Sequence, residues 1–192
     1  VFCSRNDEAK ALSDAFNKRG YNTIALSGSN SQSEREAAVE RLEMECNVDE
    51  KGRPVSEQAL DYIFTVDIFN EGVDIPQVNQ VIMLRPTQSA IVFVQQLGRG
   101  LRKADGKEYV VVLDFIGNYN NNFLIPIALS GDRTYNKDNV RKYVREGARV
   151  IPGSSTIHFD EITKKKIFES IDKMTTTKRM LTEKYNQVKY KL

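Results

Sequence analysis

Apolar residues recur along this chain with two different periods. Ala9, Leu12 and Phe16 share one face of a helical pattern, and Gly20 stands where a C-terminal cap belongs. Short apolar runs of strand length follow at Thr23–Leu26 (TIAL), Tyr62–Thr65 (YIFT), 81–83 (VIM) and 109–115 (YVVVLDF). Between the first two lies SGSNSQSEREAAVERLEM. There Ser31 and Ser33 each precede a glutamate by three residues, a capping-box signature, and Ala38, Val39 and Leu42 form the buried side of the helix. Residues 47–58 are polar, hold Gly52 and Pro54, and read as a loop. A further helical stretch covers 89–101. Strand and helix in alternation predict an α/β fold, a parallel sheet covered by helices on both faces. Right-handed crossovers then align the carboxyl ends of the strands along one edge, where ligands collect. The valines at 110–112 fit a strand buried on both faces.

Beyond Gly117 the pattern changes. GNYNNN is a turn-rich break, and helices are expected around Lys137–Glu146, over about 160–174, and from about 178 onward. The last carries Leu181, Tyr185, Val188 and Leu192 at helical spacing. The expected organisation is an α/β domain over 1–116 and a basic, mainly helical extension over 117–192. At 192 residues the chain has room for one core-bearing domain plus such an appendage.

Composition adds two things. With 40% hydrophobic and 28% charged residues and no apolar run of bilayer length, a globular protein without a membrane span is expected. Its two cysteines form no CxxC pair, which suggests a reducing, cytoplasmic setting. The chain opens at Val1 inside an apolar stretch, so it reads as a piece of something longer. The net charge of +2 also hides an asymmetry. Residues 1–132 carry 13 Lys and Arg against 19 Asp and Glu, a net −6, whereas 133–192 carry 15 against 7, a net +8. A basic tail on an acidic body suits a polyanion such as nucleic acid; lysine-rich solvated helix faces would look the same.

The pattern richest in chemistry is Gln95-x-x-Gly98-Arg99-x-x-Arg102. Arginines three apart on a helix project to one side, and their planar, permanently charged forks suit phosphate oxygens. Gly98 leaves room for close approach. Upstream, Asn70-Glu71-Gly72-Val73-Asp74-Ile75-Pro76 follows a strand. Gly72 permits an unusual backbone conformation there, and Asp74 offers a carboxylate in a tight turn.

Taken in order, VFCSRN, ALSGSNSQSERE, TVDIFNEGVDIP and QQLGRGLR resemble motifs of the second, C-terminal RecA-like motor lobe of superfamily 2 helicases. The closest flavour is that of bacterial DEAD/DEAH-type helicases of repair and restriction systems. The resemblance implies ATP and Mg²⁺ held mainly by a first lobe of the same full-length chain, with nucleic acid, DNA more than RNA, crossing both lobes. It implies Arg102 as an arginine finger, Arg99 as its partner on the phosphates, and Gln95 near the γ-phosphate or attacking water. Gly72 and Asp74 would lie near the ribose and the contacts between lobes. Ser4, Arg5, Gly28 and Ser29, at the ends of the first two strands, are the strand-gripping candidates. Val66 stands directly before Asp67, where many relatives have threonine; Thr65 comes one residue earlier.

No G-x-x-x-x-G-K-[ST] is present, so this stretch alone is not expected to hydrolyse ATP efficiently. Asp114 and Asp160 imitate acidic motor motifs, yet Asp160 suits a helix cap better. No metal site is expected. His158, in an apparent strand TIHF, is read as structural or surface-lying, and aromatics such as Tyr109, Phe115 and Phe123 as core residues and not base-stacking platforms. The alternative to a motor lobe is a nucleic-acid-binding module that kept the fold without catalysis. A small-nucleotide-binding α/β domain is weaker still, for want of a glycine-rich phosphate loop.

Overall fold

The computed structural model describes residues 1–52, 55–66, 68, 75–85, 104–115, 124–130, 134, 136–146 and 157–173. It divides the chain into two compact units, Val1–Tyr119 and Asn120–Leu192.

The first unit runs α1 (Asn6–Asn17), β1 (Thr23–Leu26), α2 (Gln32–Leu42), β2 (Tyr62–Thr65), β3 (Gln80–Met83) and β4 (Val111–Asp114). β1 pairs with β2 in parallel, Thr23 opposite Tyr62, and β3 pairs with β4 in parallel, Gln80 opposite Val111. The amino-terminal segment joins the two pairs. Phe2 bridges Thr65 on one side and Met83 on the other, both in parallel. Cys3 N–H donates to the Thr65 carbonyl at 2.8 Å, and Phe2 N–H to the Ile82 carbonyl at 2.8 Å. The spatial order is thus β1, β2, segment 1–3, β3, β4, the expected parallel α/β sheet.

Side-chain alternation sorts the two faces. Tyr62, Phe64 and Val66 pack with Cys3, Ala9, Leu12 and Phe16 under α1. The rings of Phe16 and Phe64 meet edge to face, 5.2 Å between centroids. Ile63 and Thr65 point to the opposite face. Gly20 has φ +84°, the left-handed conformation its capping position requires. The capping box on α2 belongs to Ser31 alone. Its hydroxyl accepts from Glu34 N–H, and the Glu34 carboxylate accepts from Ser31 N–H at 2.7 Å. Ser33 lies inside the helix, with its hydroxyl 3.1 Å from that of Ser31.

One expectation fails at β4. Val111, Leu113 and Phe115 are 39%, 44% and 52% exposed, and Tyr109 is 71% exposed. Among the described residues β4 pairs with β3 only. Alternate residues of β4 are left open, so the valine run is not buried on both faces, and Tyr109 and Phe115 are not core residues. Phe123 lies outside the described residues.

In the second unit, α3 (Leu124–Ser130), α4 (Lys137–Glu146) and α5 (Glu161–Lys173) bury Ile125, Ile127, Val140, Tyr143, Val144, Ile167 and Ile171. Asp160 caps α5, its carboxylate accepting from Thr163 N–H at 2.9 Å. Arg141 joins Asp138 of its own helix to Asp172 of α5. Residues 157–160 form no strand, and His158 is exposed on the approach to α5. The stripe from Leu181 to Leu192 and the helical stretch 89–101 lie outside the described residues. Among the described residues no helix is long and apolar enough to cross a membrane.

Candidate nucleotide and nucleic-acid edge

Because all five strand segments run parallel, their carboxyl ends meet along one edge. Segment 1–3 delivers Ser4 and Arg5 there, β1 delivers Ser27–Asn30, β2 Val66, β3 Leu84 and Arg85, and β4 Phe115. Ser4–Arg5 and Gly28–Ser29 therefore share an edge, set apart by the width of β2. Two strand spacings make that about 10 Å.

The β1 end is closed into a compact turn. Ser27 N–H donates to Asn30 Oδ1 at 2.8 Å, and Asn30 N–H returns to the Ser27 carbonyl at 3.2 Å. The Ser27 and Ser29 hydroxyls lie 2.7 Å apart. Arg35, one turn into α2, donates from Nη2 to the Gly28 carbonyl at 3.0 Å. Its Nε is buried without a partner. Sequence reasoning missed this arginine; its signal was a cation in the first turn of a helix that follows directly on a strand-end turn. Gly28 has ordinary backbone geometry, and a Cβ built there would meet nothing within 4 Å. The fold itself therefore makes no demand for glycine at this point.

At the other end, Ser4 N–H donates to Glu8 Oε2 at 2.9 Å, so one backbone donor at the start of α1 is already satisfied. Arg5 Nε lies 3.2 Å from Asp7, with both side chains 73% exposed. A pair that open contributes little and can exchange its partner for a phosphate. The Glu34 carboxyl is held below its usual range by hydrogen bonds from the Ser31 backbone and hydroxyl, which keeps an anion beside the turn. Thr65 lies within β2, 2% exposed, with its hydroxyl unpartnered.

Gln95, Gly98, Arg99, Arg102, Gly72 and Asp74 lie outside the described residues. What the structure describes is where the chain departs for them: from the carboxyl end of β2 at Val66 and of β3 at Arg85. Among the described residues no group of three His, Cys, Asp or Glu could hold a metal ion.

A parallel sheet with helices on both faces and polar turns along its carboxyl edge defines the class: an α/β ligand-binding lobe. The family follows from the sequence comparison. The helicase conserved C-terminal domain matches residues 1–104, more than half of the chain, and the chain belongs to that family. Similar proteins include the candidate ATP-dependent helicase IRC3 of Saccharomyces cerevisiae, 27% identical over 108 residues, or 56% of this chain and 14% of that protein. A candidate ATP-dependent RNA helicase of Methanocaldococcus jannaschii is 28% identical over 119 residues, 58% of this chain and 14% of that one. The chain thus spans about one-seventh of the length of these relatives. Among solved structures, the DEAD-box protein SrmB of E. coli, bound to a regulator of ribonuclease activity, aligns with a TM-score of 0.45 and 20% identity. That alignment covers 59% of this chain and 58% of SrmB. The RNA helicase Prp28 of Chaetomium thermophilum, bound to ADP, aligns at 0.46 and 21%, over 74% and 29% of the two chains.

Proposed function

We propose that this chain is the second motor lobe of an ATP-dependent nucleic-acid helicase or translocase, and that its carboxyl edge faces both ligands. The observation that carries the reading is topological. The segment with Gln95, Gly98, Arg99 and Arg102 begins at the carboxyl end of β3, and that with Gly72 and Asp74 at the carboxyl end of β2. Both ends share an edge with the Ser27–Asn30 turn. Both segments also fall within the span matched by the helicase domain.

In this reading ATP and Mg²⁺ are held mainly by a first lobe, and Arg102 reaches the γ-phosphate with Arg99 beside it and Gln95 near the attacking water. Gly72 and Asp74 border the ribose and Gly98 allows close approach. Phosphoryl transfer builds charge on oxygens, and a finger arginine contributes ~10³–10⁵ in rate. Ser4, Arg5, Gly28 and Ser29 grip the sugar-phosphate backbone. The absence of any steric demand at Gly28 supports this, since a strand pressed against the turn would itself supply the demand. The motif wording fits the bacterial repair and restriction branch, and DNA with it. Relatives named as RNA helicases favour RNA, so the polymer is best put as nucleic acid. Two free cysteines suit a cytoplasmic setting.

The test is Arg102→Ala in the full-length protein. ATP turnover is expected to fall ~10³–10⁵-fold while nucleic-acid binding persists. Normal nucleic-acid-stimulated turnover in the variant would remove the finger assignment, whereas no turnover in the unaltered full-length protein would favour a non-catalytic binding module.

A further inference from the structure

Two asparagines stand along the side of β1 that faces away from β2. The Asn22 carbonyl accepts from Asp61 N–H at 2.8 Å, so residues 22, 24 and 26 turn their backbone groups toward β2. Residues 23, 25 and 27 turn theirs outward. At Thr23 one carboxamide fills both outward groups. Asn17 Oδ1 accepts from Thr23 N–H at 2.8 Å, and Asn17 Nδ2 donates to the Thr23 carbonyl at 3.2 Å. The Thr23 hydroxyl, 2.9 Å from the same Oδ1, holds that amide in place. At Ser27 the outward groups are filled by Asn30, whose Oδ1 takes the N–H and whose own N–H reaches the carbonyl. Ala25 lies midway, its outward N–H and carbonyl without a partner among the described residues. Side chains and a turn, and not a further strand, thus occupy this edge.

An open strand edge is a template for another strand, and proteins blunt such edges with lysine, proline or a bulge. The stretch 22–27, NTIALS, has neither charge nor proline. Beside it a cavity of about 390 Å³ lies between the edge and the exposed Lys10 and Asp14 of α1, so a backbone has room to approach. The asparagines do here what charge or proline does elsewhere. Each closes one outward rung completely, and neither offers a strand on which pairing could continue. A single hydrogen bond adds little net stability, so the rung at Ala25 cannot hold a visiting strand by itself.

We infer that Asn17 and Asn30 guard β1 against pairing with the β1 of a second copy of this chain. Two copies brought edge to edge across a two-fold axis pair antiparallel, Ala25 opposite Ala25 and Thr23 opposite Ser27. Every outward group then meets a partner in register. α1 runs back along β1, with Asn6 beside Ser27 and Asn17 beside Thr23, so the same axis sets Lys10 of each copy near Asp14 of the other. Charge therefore favours the encounter, and the asparagines alone oppose it. With both in place the Thr23 and Ser27 rungs are occupied and only the central one remains. The inference rests on backbone hydrogen bonding and does not depend on the motor reading.

The experiment places Asn17→Ala and Asn30→Ala together in the whole chain and follows sedimentation velocity and hydrogen exchange as concentration rises. In the unaltered chain exchange at residues 23–27 should not change with concentration. The double variant should dimerise, and exchange at 23–27 should slow about tenfold for each rung gained. Each single variant should associate more weakly than the double one. Adding Ala25→Pro removes the central N–H at a position where an edge strand tolerates proline, and should abolish the new dimer. A folded double variant that sediments like the unaltered chain would overturn the inference. So would a dimer that keeps fast exchange at 23–27 or survives Ala25→Pro. Should the double variant not fold, Asn17→Ala alone is titrated into the fluorescein-labelled peptide Lys-Thr-Ile-Ala-Leu-Ser-Lys. Its anisotropy should rise with the variant and not with the unaltered chain, and the same response to both would overturn the inference.

Discussion

At the carboxyl edge of the sheet stand hydroxyls, an amide and guanidinium groups: Ser4, Arg5, Ser27, Ser29, Asn30 and Arg35. At the amino edge, four residues away along the same strands, stand Asp61, Asp105, Glu43 and Glu45. The carboxyl edge sets donors that suit phosphate beside carboxylates already engaged, Asp7 by Arg5, Glu8 by Ser4 N–H and Glu34 by Ser31 N–H, while the amino edge gathers carboxylates that repel it. Parallel pairing is what keeps these sets apart, because every strand contributes its start to one edge and its end to the other. An antiparallel sheet of the same residues would mix them. The lesson is that polarity of the sheet, more than any single motif, separates the donors that suit a polyanion from the carboxylates that would repel one.

The largest test of that comparison removes the frame common to both edges. Phe64 is 1% exposed and stacked edge to face on Phe16. Phe64→Ala should cost about 3–5 kcal/mol, read as a lowered urea midpoint, and should disturb both edges together. A loss below about 1 kcal/mol would show that the α1 face does not hold the sheet.

The two smallest effects fall one at each edge. Ser31→Ala removes the capping box that starts α2 beside the Ser27–Asn30 turn, and should cost about 1 kcal/mol. Asp105→Asn, at an exposed amino-edge position, should stay within about 0.5 kcal/mol. Thermal denaturation of the two variants side by side would separate them, and equal losses would erase the distinction.

Local signals in the sequence were sufficient for α1, β1, α2, β2, β3, α4 and α5. Each rests on periodicity or a cap that neighbouring residues specify, such as Ser31 with Glu34 or Asp160 with Thr163. What escaped depends on distant partners. The valines at 110–112 read the same whether a strand is covered on one face or on both, and only the exposure of Val111 and Leu113 shows that one face is open. α3 was hidden by Pro126, which a first helical turn tolerates but which looks like a break. TIHF looked like a strand, yet at 157–160 it forms none. At the site, Ser4, Arg5, Gly28 and Ser29 were legible as strand ends. Arg35 was not, because its contact with the Gly28 carbonyl joins a helix to a turn seven residues earlier.

Hydrogen–deuterium exchange on the full-length protein, with and without a non-hydrolysable ATP analogue and a single-stranded oligonucleotide, tests the account most directly. The account predicts that the ligands together slow exchange at residues 4–5 and 27–30 and leave 43–48 and 105–109 unchanged. Protection of 43–48 or 105–109 with no change at 27–30 would put the ligands on the wrong edge and contradict it.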